Sequence, residues 1–255
     1  MAPVLEARRG FSLERKTNMK IISPYVEMLG HTVMVGDNSN DSPMKLLELA
    51  IRNCYKSESK IKEGSWKDII NIILQNNHLS TLEHVSFTFR VVTSRDVLQE
   101  VARHRIASYS VESTRYCNYS PDKKGMKFIL PAWISEEEVD EVKKLYDASQ
   151  SSPFGPWTEH VSKELIPVCV WYDTLINAEK AYNILIEKGW KPQQARVILP
   201  GDLKTEIIMT FNIRSMLNFL DQRTKPGAHP DMIKVAKMIQ TILQFKWPLI
   251  FDREG

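Results

Sequence analysis

The sequence predicts an α+β fold built as a single domain. Apolar residues recur at helical spacing in several separated runs, whereas the two-residue alternation typical of strands is confined to a few short stretches. These strands do not alternate regularly with the helices, which favours α+β over a doubly wound α/β fold. The 255 residues contain no repeat, low-complexity tract or linker. We therefore expect one domain, 19–255, preceded by a loose extension, 1–18, that need not be native.

The first half of the chain predicts three helices and one strand. The first helix, 42–57, has apolar side chains at helical spacing, namely Leu46, Leu47, Ala50, Ile51 and Cys54. A second helix covers 65–77, with Ser65 as its N-cap. In 84–92 apolar and polar residues alternate, which indicates a half-buried strand. Helical spacing returns in 94–104.

The second half predicts two further strands among helices. A short strand is expected in 126–131, and the alternation in 203–213 predicts another. The helices predicted here are 135–149, 171–188, 191–200, 214–223 and 229–247. Ser135 and Glu138 have the spacing of a capping box at the start of the first of these, and Gly189 is the expected stop of the second.

Composition and charge exclude several functional classes. A net charge of +3 is too small to indicate a nucleic-acid-binding protein. The three cysteines lack C-x-x-C spacing, which argues against a zinc site or a disulfide scaffold and fits a reducing cytoplasm. No apolar run is long enough to span a membrane, and the N-terminus lacks the apolar core of a secretory signal. We therefore expect a cytoplasmic protein without metal, membrane or nucleic-acid partners.

The most informative segment is "VARHRIASYSVESTRY", residues 101–116. It places Arg103, His104, Arg105 and Arg115 close together in the chain, with Glu112 as its single carboxylate. Such a concentration of positive charge predicts either an open, solvated basic surface or a site for a strongly charged anion. The chain has no G-x-G-x-x-G or G-x-x-x-x-G-K motif, so neither of the usual phosphate-binding loops is present.

Three other segments place polar residues among apolar ones. They contain His78, Ser80, Glu83 and His84, then Arg196, and finally Asn212, Arg214, Asn218 and Arg223. On the predicted helix we expect Arg214, Asn218 and Arg223 to share roughly one side. Guanidinium groups bind phosphate oxygens in pairs and remain charged. Convergence of these arginines predicts a pocket for a phosphate-bearing ligand.

Each segment also has a plainer interpretation. Arg196 by itself is most simply a surface arginine whose stem lies along apolar side chains. Glu83 and His84 at the start of a strand are typical of a structural hydrogen-bonded pair. A nucleic-acid interpretation of "RHR" lacks the aromatic-rich basic stripe or known motif that would support it.

The spacing of the basic segment resembles a known family. Arg103-His104-Arg105, then seven residues, then Ser113, followed by Arg115-Tyr116, is similar to the signature of the flavin-dependent thymidylate synthases, the ThyX-type family. Three other segments match that family in order: "HLSTLEHVSFTF", "QARVILP" and "FNIRSMLNFLDQR". The resemblance extends from about residue 20 to about residue 245.

This resemblance implies a fold, a reaction and an assembly. The fold would have a central, largely antiparallel sheet flanked by helices. The reaction would be the reductive methylation of dUMP to dTMP, with the carbon from methylenetetrahydrofolate and the electrons from NADPH through FAD. The assembly would be a homotetramer whose active sites are shared between subunits.

The resemblance also assigns roles to residues. The implied FAD contacts are Cys54 (usually Ser in the family), His78, Ser80, Arg103, His104, Arg105, Ile106, Asn212, Arg214 and Asn218. The implied nucleotide contacts are Glu100, Arg103, Arg105, Ser113, Thr114, Arg115, Arg196 and Arg223. The catalytic roles are assigned to His104, Ser113 and Arg223.

Ser113 is expected to position the substrate by hydrogen bonding, because no base with an orienting partner is evident around it. No cysteine lies in a motif comparable to that of the classical, non-flavin thymidylate synthases, so no covalent bond between enzyme and pyrimidine is expected. The chain departs from the family at Val111, where Gln or Glu is frequent. Either Glu112 or Glu100 substitutes, or base recognition differs, which leaves UMP open as a substrate.

Two other functional classes compete with a flavoenzyme. A binding module that keeps the basic pocket without chemistry predicts a colourless protein with salt-sensitive oligonucleotide binding. A structural oligomer whose arginines only bridge subunits predicts that neither flavin nor dUMP raises the melting temperature. The flavoenzyme predicts a yellow protein that releases FAD on denaturation.

Overall fold

A computed structural model describes residues 17–149 and 161–252. Its strands are β1 (Lys20–Ile22), β2 (Tyr25–His31), β3 (Ser86–Ser94), β4 (Ser108–Val111), β5 (Lys127–Ile129) and β6 (Lys204–Asn212). Its α-helices are α1 (Ser42–Tyr55), α2 (Trp66–Gln75), α3 (Arg95–Val101), α4 (Glu136–Ser149), α5 (Ile166–Glu187), α6 (Pro192–Ala195), α7 (Ile213–Arg223), α8 (Pro230–Lys246) and α9 (Pro248–Phe251). Short 3-10 helices cover Glu58–Lys60, Leu79–His84 and Arg196–Ile198. Most of the predicted extension, 1–16, lies outside the described residues.

The central sheet has four antiparallel strands in the order β2-β3-β6-β4. Along β6 every second residue is buried, so one face of the sheet carries the core and the other faces outward. Phe87 pairs with Phe211 and Phe89 with Met209 across β3 and β6, and all four are buried. The predicted α+β fold with a largely antiparallel sheet is confirmed.

Helices cover the inner face of this sheet. Buried side chains from α1, α2, α3, α7, α8 and α9 pack with those of β3 and β6 in one cluster. Trp247, between α8 and α9, stacks on Phe87 at a centroid distance of 4.7 Å. Burying these apolar side chains away from water is the main stabilising contribution to such a layer. None of the helices within 17–149 or 161–252 has both the length and the apolar character of a membrane span.

A second, smaller layer adjoins the sheet. β1 and β5 form a parallel pair, and Phe128 of β5 packs with side chains of α5 in a separate buried cluster. α4 and α5 pack against each other around Val142 and Ile176. The predicted capping box is confirmed, because the Ser135 amide donates to Glu138 and the Glu138 amide donates to the Ser135 hydroxyl.

The structure differs from the sequence-based prediction in several local features. β1, β2 and β4 were not predicted, since β1 and β4 are short and the register of β2 shifts between Met28 and Gly30. α5 begins at Ile166 and not near Trp171, with a proline in its first turn. Ser65 lies at the N-cap position of α2, but its hydroxyl donates to Glu48 (2.6 Å) and makes no cap hydrogen bond.

Candidate functional site

The turn after α3 positions the "RHR" segment. Ser94 caps α3 by accepting a hydrogen bond from the Val97 amide at 3.2 Å. α3 ends at Val101, and the Tyr109 hydroxyl lies 2.9 Å from the Val101 carbonyl oxygen and 2.7 Å from that of His104. The turn is therefore held at both ends, and the side chains that follow α3 project from a fixed backbone.

The second contribution comes from α7, which starts directly after β6. Asn212, the last residue of β6, accepts a hydrogen bond from the Ser215 amide at 2.8 Å and so caps α7. Arg214, Asn218 and Arg223 all line one pocket. The prediction that they share one side of the helix is wrong, because nine residues at about 100° each put Arg223 opposite Arg214. Arg223 lies on the side that buries Met216 and Phe219, and its side chain is 17% exposed against 53% for Arg214.

These two segments face each other across a pocket of about 670 Å³, which we call the cationic pocket. Its lining consists of Glu83, Arg103, His104, Arg105, Ile106, Phe211, Arg214, Ser215, Asn218, Gln222 and Arg223. This volume is within the range of small-molecule and cofactor sites in proteins. Six of the ten predicted FAD contacts lie in this lining.

His104 forms the buried wall of the cationic pocket. Its ring meets that of Phe219 edge to face at a centroid distance of 5.0 Å. Arg223 Nε donates to His104 Nε2 at 2.9 Å. Burial, assisted by the charge of Arg223, lowers the pKa of His104 below its ordinary value. The imidazole is therefore neutral near pH 7, and because Nε2 accepts, its proton is on Nδ1.

Carboxylates hold two of the arginines in place. Arg223 Nη1 donates to Glu100 Oε2 at 2.7 Å, and its Nη2 donates to the Glu100 carbonyl oxygen at 3.2 Å. Arg214 donates to Glu83 at 2.6 Å. In the described part of the chain, Arg103 and Arg105 have no carboxylate partner, and both are exposed. The pocket is therefore positively charged and suited to an anion.

The remaining predicted nucleotide contacts lie on a separate edge of the chain. After β4, the Tyr116 and Cys117 amides donate to the Ser113 carbonyl oxygen at 3.2 and 2.9 Å, which closes a tight turn. We call residues 113–117 the substrate loop, after the nucleotide contacts that the sequence predicts for Ser113, Thr114 and Arg115. Arg196 donates to the Thr114 hydroxyl at 3.2 Å, so the short helices 192–198 are attached to this loop. Arg115 is exposed and lies over the Tyr116 ring.

Four predicted FAD contacts do not line the cationic pocket. The side-chain oxygen of Asn212 is engaged in the α7 cap. Cys54 is exposed on α1, and His78 Nδ1 lies 3.2 Å from the hydroxyl of Tyr55, the residue after Cys54. Ser80 is exposed on the 3-10 helix Leu79–His84, which also contains Glu83, the partner of Arg214. These four residues therefore lie outside the lining of the cationic pocket in the single chain.

Sequence reasoning overlooked several residues of the pocket. The sequence pattern places Phe211 in a strand and Ser215 in a helix without marking either as a site residue, and it does not distinguish Gln222. Glu83 was noted as a polar outlier but paired with its neighbour His84, whereas the structure pairs it with Arg214, 131 residues away in the chain. Only the fold brings those segments together.

The three cysteines lie away from the cationic pocket. Cys54 is exposed, Cys169 is buried in the α4–α5 layer, and Cys117 lies 3.5 Å from Lys124 Nζ. Burial raises the pKa of Cys169, which keeps it as a thiol. No cysteine is therefore placed to attack a ligand in that pocket.

The sequence of this chain matches a known family over most of its length. Residues 37–249 match the family described as thymidylate synthase complementing protein. A flavin-dependent thymidylate synthase of Wolinella succinogenes is 33% identical over 215 residues, which span 81% of this chain and 92% of that protein.

Solved structures of similar proteins agree with the family match of the sequence. Thymidylate synthase X from Helicobacter pylori, solved with FAD and dUMP, superposes with a TM-score of 0.64 at 26% identity, covering 90% of this chain and 97% of that one. The UMP/dUMP methylase PolB from Streptomyces cacaoi, bound with 5-Br dUMP, shares the fold with a TM-score of 0.67 at 21% identity, covering 91% and 95%. On its motifs, its sequence match and its fold, this chain belongs to the flavin-dependent thymidylate synthase family.

Proposed function

We propose that this protein methylates dUMP to dTMP at the cationic pocket, with FAD bound there. The observation that carries the proposal is the convergence of Arg103, Arg105, Arg214 and Arg223 with neutral His104 and the amide of Asn218 in one pocket. Four guanidinium groups face only two carboxylates, Glu83 and Glu100, so the pocket retains positive charge for anionic ligands.

The pocket residues fit a flavin nucleotide. Ile106 supplies apolar surface for a planar ring system, because it is 74% exposed and its side chain is available for contact. Arg103 and Arg105 are free to bind phosphate oxygens. When bound, FAD supplies the two electrons that convert a transferred methylene group to a methyl group, with NADPH as their source and methylenetetrahydrofolate as the carbon donor.

The chain's own side chains would bind and orient the nucleotide and stabilise the charge that develops on its pyrimidine. Arg223, held by Glu100 and His104, presents a fixed positive charge to a developing negative charge on the pyrimidine. Ser113 would position the nucleotide without acting as a nucleophile. Holding cofactor and nucleotide in contact makes the transfer effectively unimolecular.

Within one chain the cationic pocket and the substrate loop are separate, which supports a site shared between subunits. We propose a homotetramer in which the Arg115–Arg196 edge of one subunit meets the cationic pocket of another, and we place the enzyme in the cytoplasm. The proposed domain, 19–255, is preceded by Thr17 and Asn18, both of which donate hydrogen bonds to buried Glu179.

The reaction is tested by incubating the purified protein with dUMP, UMP and dCMP in parallel, with methylenetetrahydrofolate and NADPH, and weighing the nucleotide products by mass spectrometry. We expect a yellow protein and a gain of one methyl group on dUMP. A colourless protein that binds oligonucleotides, or one that leaves all three nucleotides unchanged, would overturn the proposal.

Two variants test the residue assignment. Arg196→Ala is expected to weaken dUMP binding about tenfold or more with flavin retained, because a charge-assisted contact to phosphate is lost. His104→Ala is expected to impair flavin retention. When Arg196→Ala and Arg223→Ala chains are co-expressed in equal amounts, mixed oligomers form. If each site takes Arg196 from one subunit and Arg223 from another, roughly a quarter of the sites should contain both arginines and be active. Wild-type turnover by both single variants would show that the assignment is wrong.

A further inference from the structure

The outward face of the sheet carries an ion pair that no catalytic role explains. Lys204, the first residue of β6, donates from Nζ to Glu112 Oε2 at 2.7 Å. Glu112 directly follows β4 and directly precedes Ser113. The side chains are 18% and 11% exposed, so the pair is largely shielded from solvent. Its position places it at the base of the substrate loop.

Glu112 is held by more than Lys204. Its other carboxylate oxygen accepts a hydrogen bond from the Tyr119 hydroxyl at 3.3 Å, and its amide donates to the Glu206 carbonyl oxygen at 2.9 Å. Tyr119 is buried, and both burial and Glu112 raise the pKa of its phenol, which therefore stays a donor. The substrate loop is thus closed at its base by the Glu112–Tyr119 contact.

The pair belongs to a row of alternating charges across three strands. Lys204 also lies 3.5 Å from Glu206, Glu206 lies 3.1 Å from Arg90, and Arg90 lies 2.9 Å from Glu27. Lys204 is the link between this row and the substrate loop. Because Lys204 is held between Glu206 and Glu112, the start of the substrate loop is already ordered before a ligand binds. An ordered loop loses less conformational entropy on binding than a free loop does.

We propose that Lys204, through Glu112, is a positioning residue for nucleotide binding, and that Glu112 does not read the pyrimidine. This inference rests on the proposed function and refines it. The pair holds the loop so that Ser113, Thr114 and Arg115 present a preformed edge with Arg196 to the phosphate. Because the Glu112 carboxylate is occupied by Lys204 and Tyr119, it does not replace the Gln or Glu that the family frequently has at position 111.

The test uses Lys204→Met and Glu112→Gln, with Lys204→Arg as rescue and Lys127→Met as control. Lys204 and Glu112 line a pocket of about 600 Å³ on the outward face of the sheet. Lys127 lines this pocket too, but among the described residues it makes no ion pair. We expect Lys204→Met to raise KM for dUMP about tenfold with kcat within twofold and FAD content unchanged. Lys204→Arg should restore most of the affinity, and Lys127→Met should match the wild type.

Base recognition is tested with Glu112→Gln, which keeps the shape of the side chain. If both dUMP and UMP are substrates, a positioning role predicts that KM rises by the same factor for each. If only one is a substrate, it predicts that the binding affinity for both nucleotides falls by the same factor. A change in the ratio between the two would show that Glu112 reads the nucleoside and would overturn that half of the inference.

Other outcomes are equally decisive. An unchanged KM in Lys204→Met, or a loss of FAD, stability and activity together, would leave Lys204 as a purely structural residue and overturn the proposal. If Lys204→Met does not fold, the Glu112→Gln variant decides by the same KM criterion. A wild-type protein that methylates no pyrimidine nucleotide overturns the proposed function itself, while dUMP binding by calorimetry still measures the effect of Lys204.

Discussion

Arg223 Nε lies 2.9 Å from His104 Nε2, so a permanent cation donates a hydrogen bond to a buried imidazole. The same guanidinium is held by Glu100 at 2.7 Å. The three side chains come from the end of α3, the turn after it and the end of α7. This arrangement keeps His104 neutral and aims its Nδ1 proton away from Arg223.

The lowered pKa of His104 predicts a pH dependence of stability. In the folded chain His104 resists protonation, whereas in the unfolded chain it takes up a proton near the ordinary value of 6.5. The unfolded state therefore binds more protons below that pH, and the free energy of unfolding falls as pH drops from 7 towards 5. Urea unfolding across this range should show a shallower fall for His104→Asn than for the wild type. The same fall in both proteins would contradict the lowered pKa, and exposed His84→Asn is the control.

The buried ion pair between Arg52 and Glu48 predicts a large stability effect. The atoms are 2.7 Å apart, with side chains 8% and 3% exposed, and Ser65 also donates to Glu48. Arg52→Met would leave a buried carboxylate without its cation, which typically costs about 3 kcal/mol or more. Urea denaturation measures this.

Lys225→Met is the matched control for Arg52→Met. Its pair with Asp221 has the same i,i+4 spacing, but its side chains are 63% and 64% exposed. Solvent screens such a pair, so its loss should change the free energy of unfolding by about 0.5 kcal/mol or less. Equal effects of the two substitutions would argue against burial as the cause.

Burial raises the pKa of Asp202, and the nearby charges of Asp96 and Asp231 add to the effect, while the Trp171 indole donates a hydrogen bond at 2.7 Å. A raised folded-state pKa stabilises the protein at low pH and costs stability once pH exceeds that pKa. Asp202→Asn removes the charge and keeps an acceptor for Trp171. We expect it to raise the melting temperature more at pH 8 than at pH 4. Exposed Asp252→Asn should show no such difference.

Gly189 ends α5 with φ of 89°, in the left-handed region. The Trp190 amide donates to Leu185 and the Gly189 amide to Ile186, which satisfies the last carbonyls of the helix. An added methyl group meets no atom within 4 Å, so Gly189→Ala should cost only the backbone strain, about 1 kcal/mol.

Gly30→Ala is the control for Gly189→Ala, since Gly30 also has open space and lacks a positive φ. Comparing the free energies of unfolding of the two variants by chemical denaturation isolates the cost of the positive φ at position 189. A loss at Gly30 as large as that at Gly189 would point to a cause other than φ.

Several features of the site were predictable from local pattern. The alternation in β6 and the helical spacing that follows it predicted the strand and the helix that carry these residues. They did not place Arg214 and Arg223 on one side of α7, and the two line one pocket only in the folded chain. The α+β class followed from the separated runs of helical period. β4 escaped prediction because four residues, Ser108–Val111, are too few for their alternation to stand out from the neighbouring sequence. Its strand conformation depends on pairing with β6.

The sequence by itself determined the family, the helical and strand periods, and the concentration of arginines that is suited to an anion. Only the tertiary structure decided which of those arginines meet. It paired Arg223 with His104 and Glu100, Arg214 with Glu83, and Lys204 with Glu112. The physical reason is that helical and strand periods act over a few residues, whereas charges separated by about a hundred residues meet only when the sheet order and the packing of α3 and α7 bring them within a few ångströms.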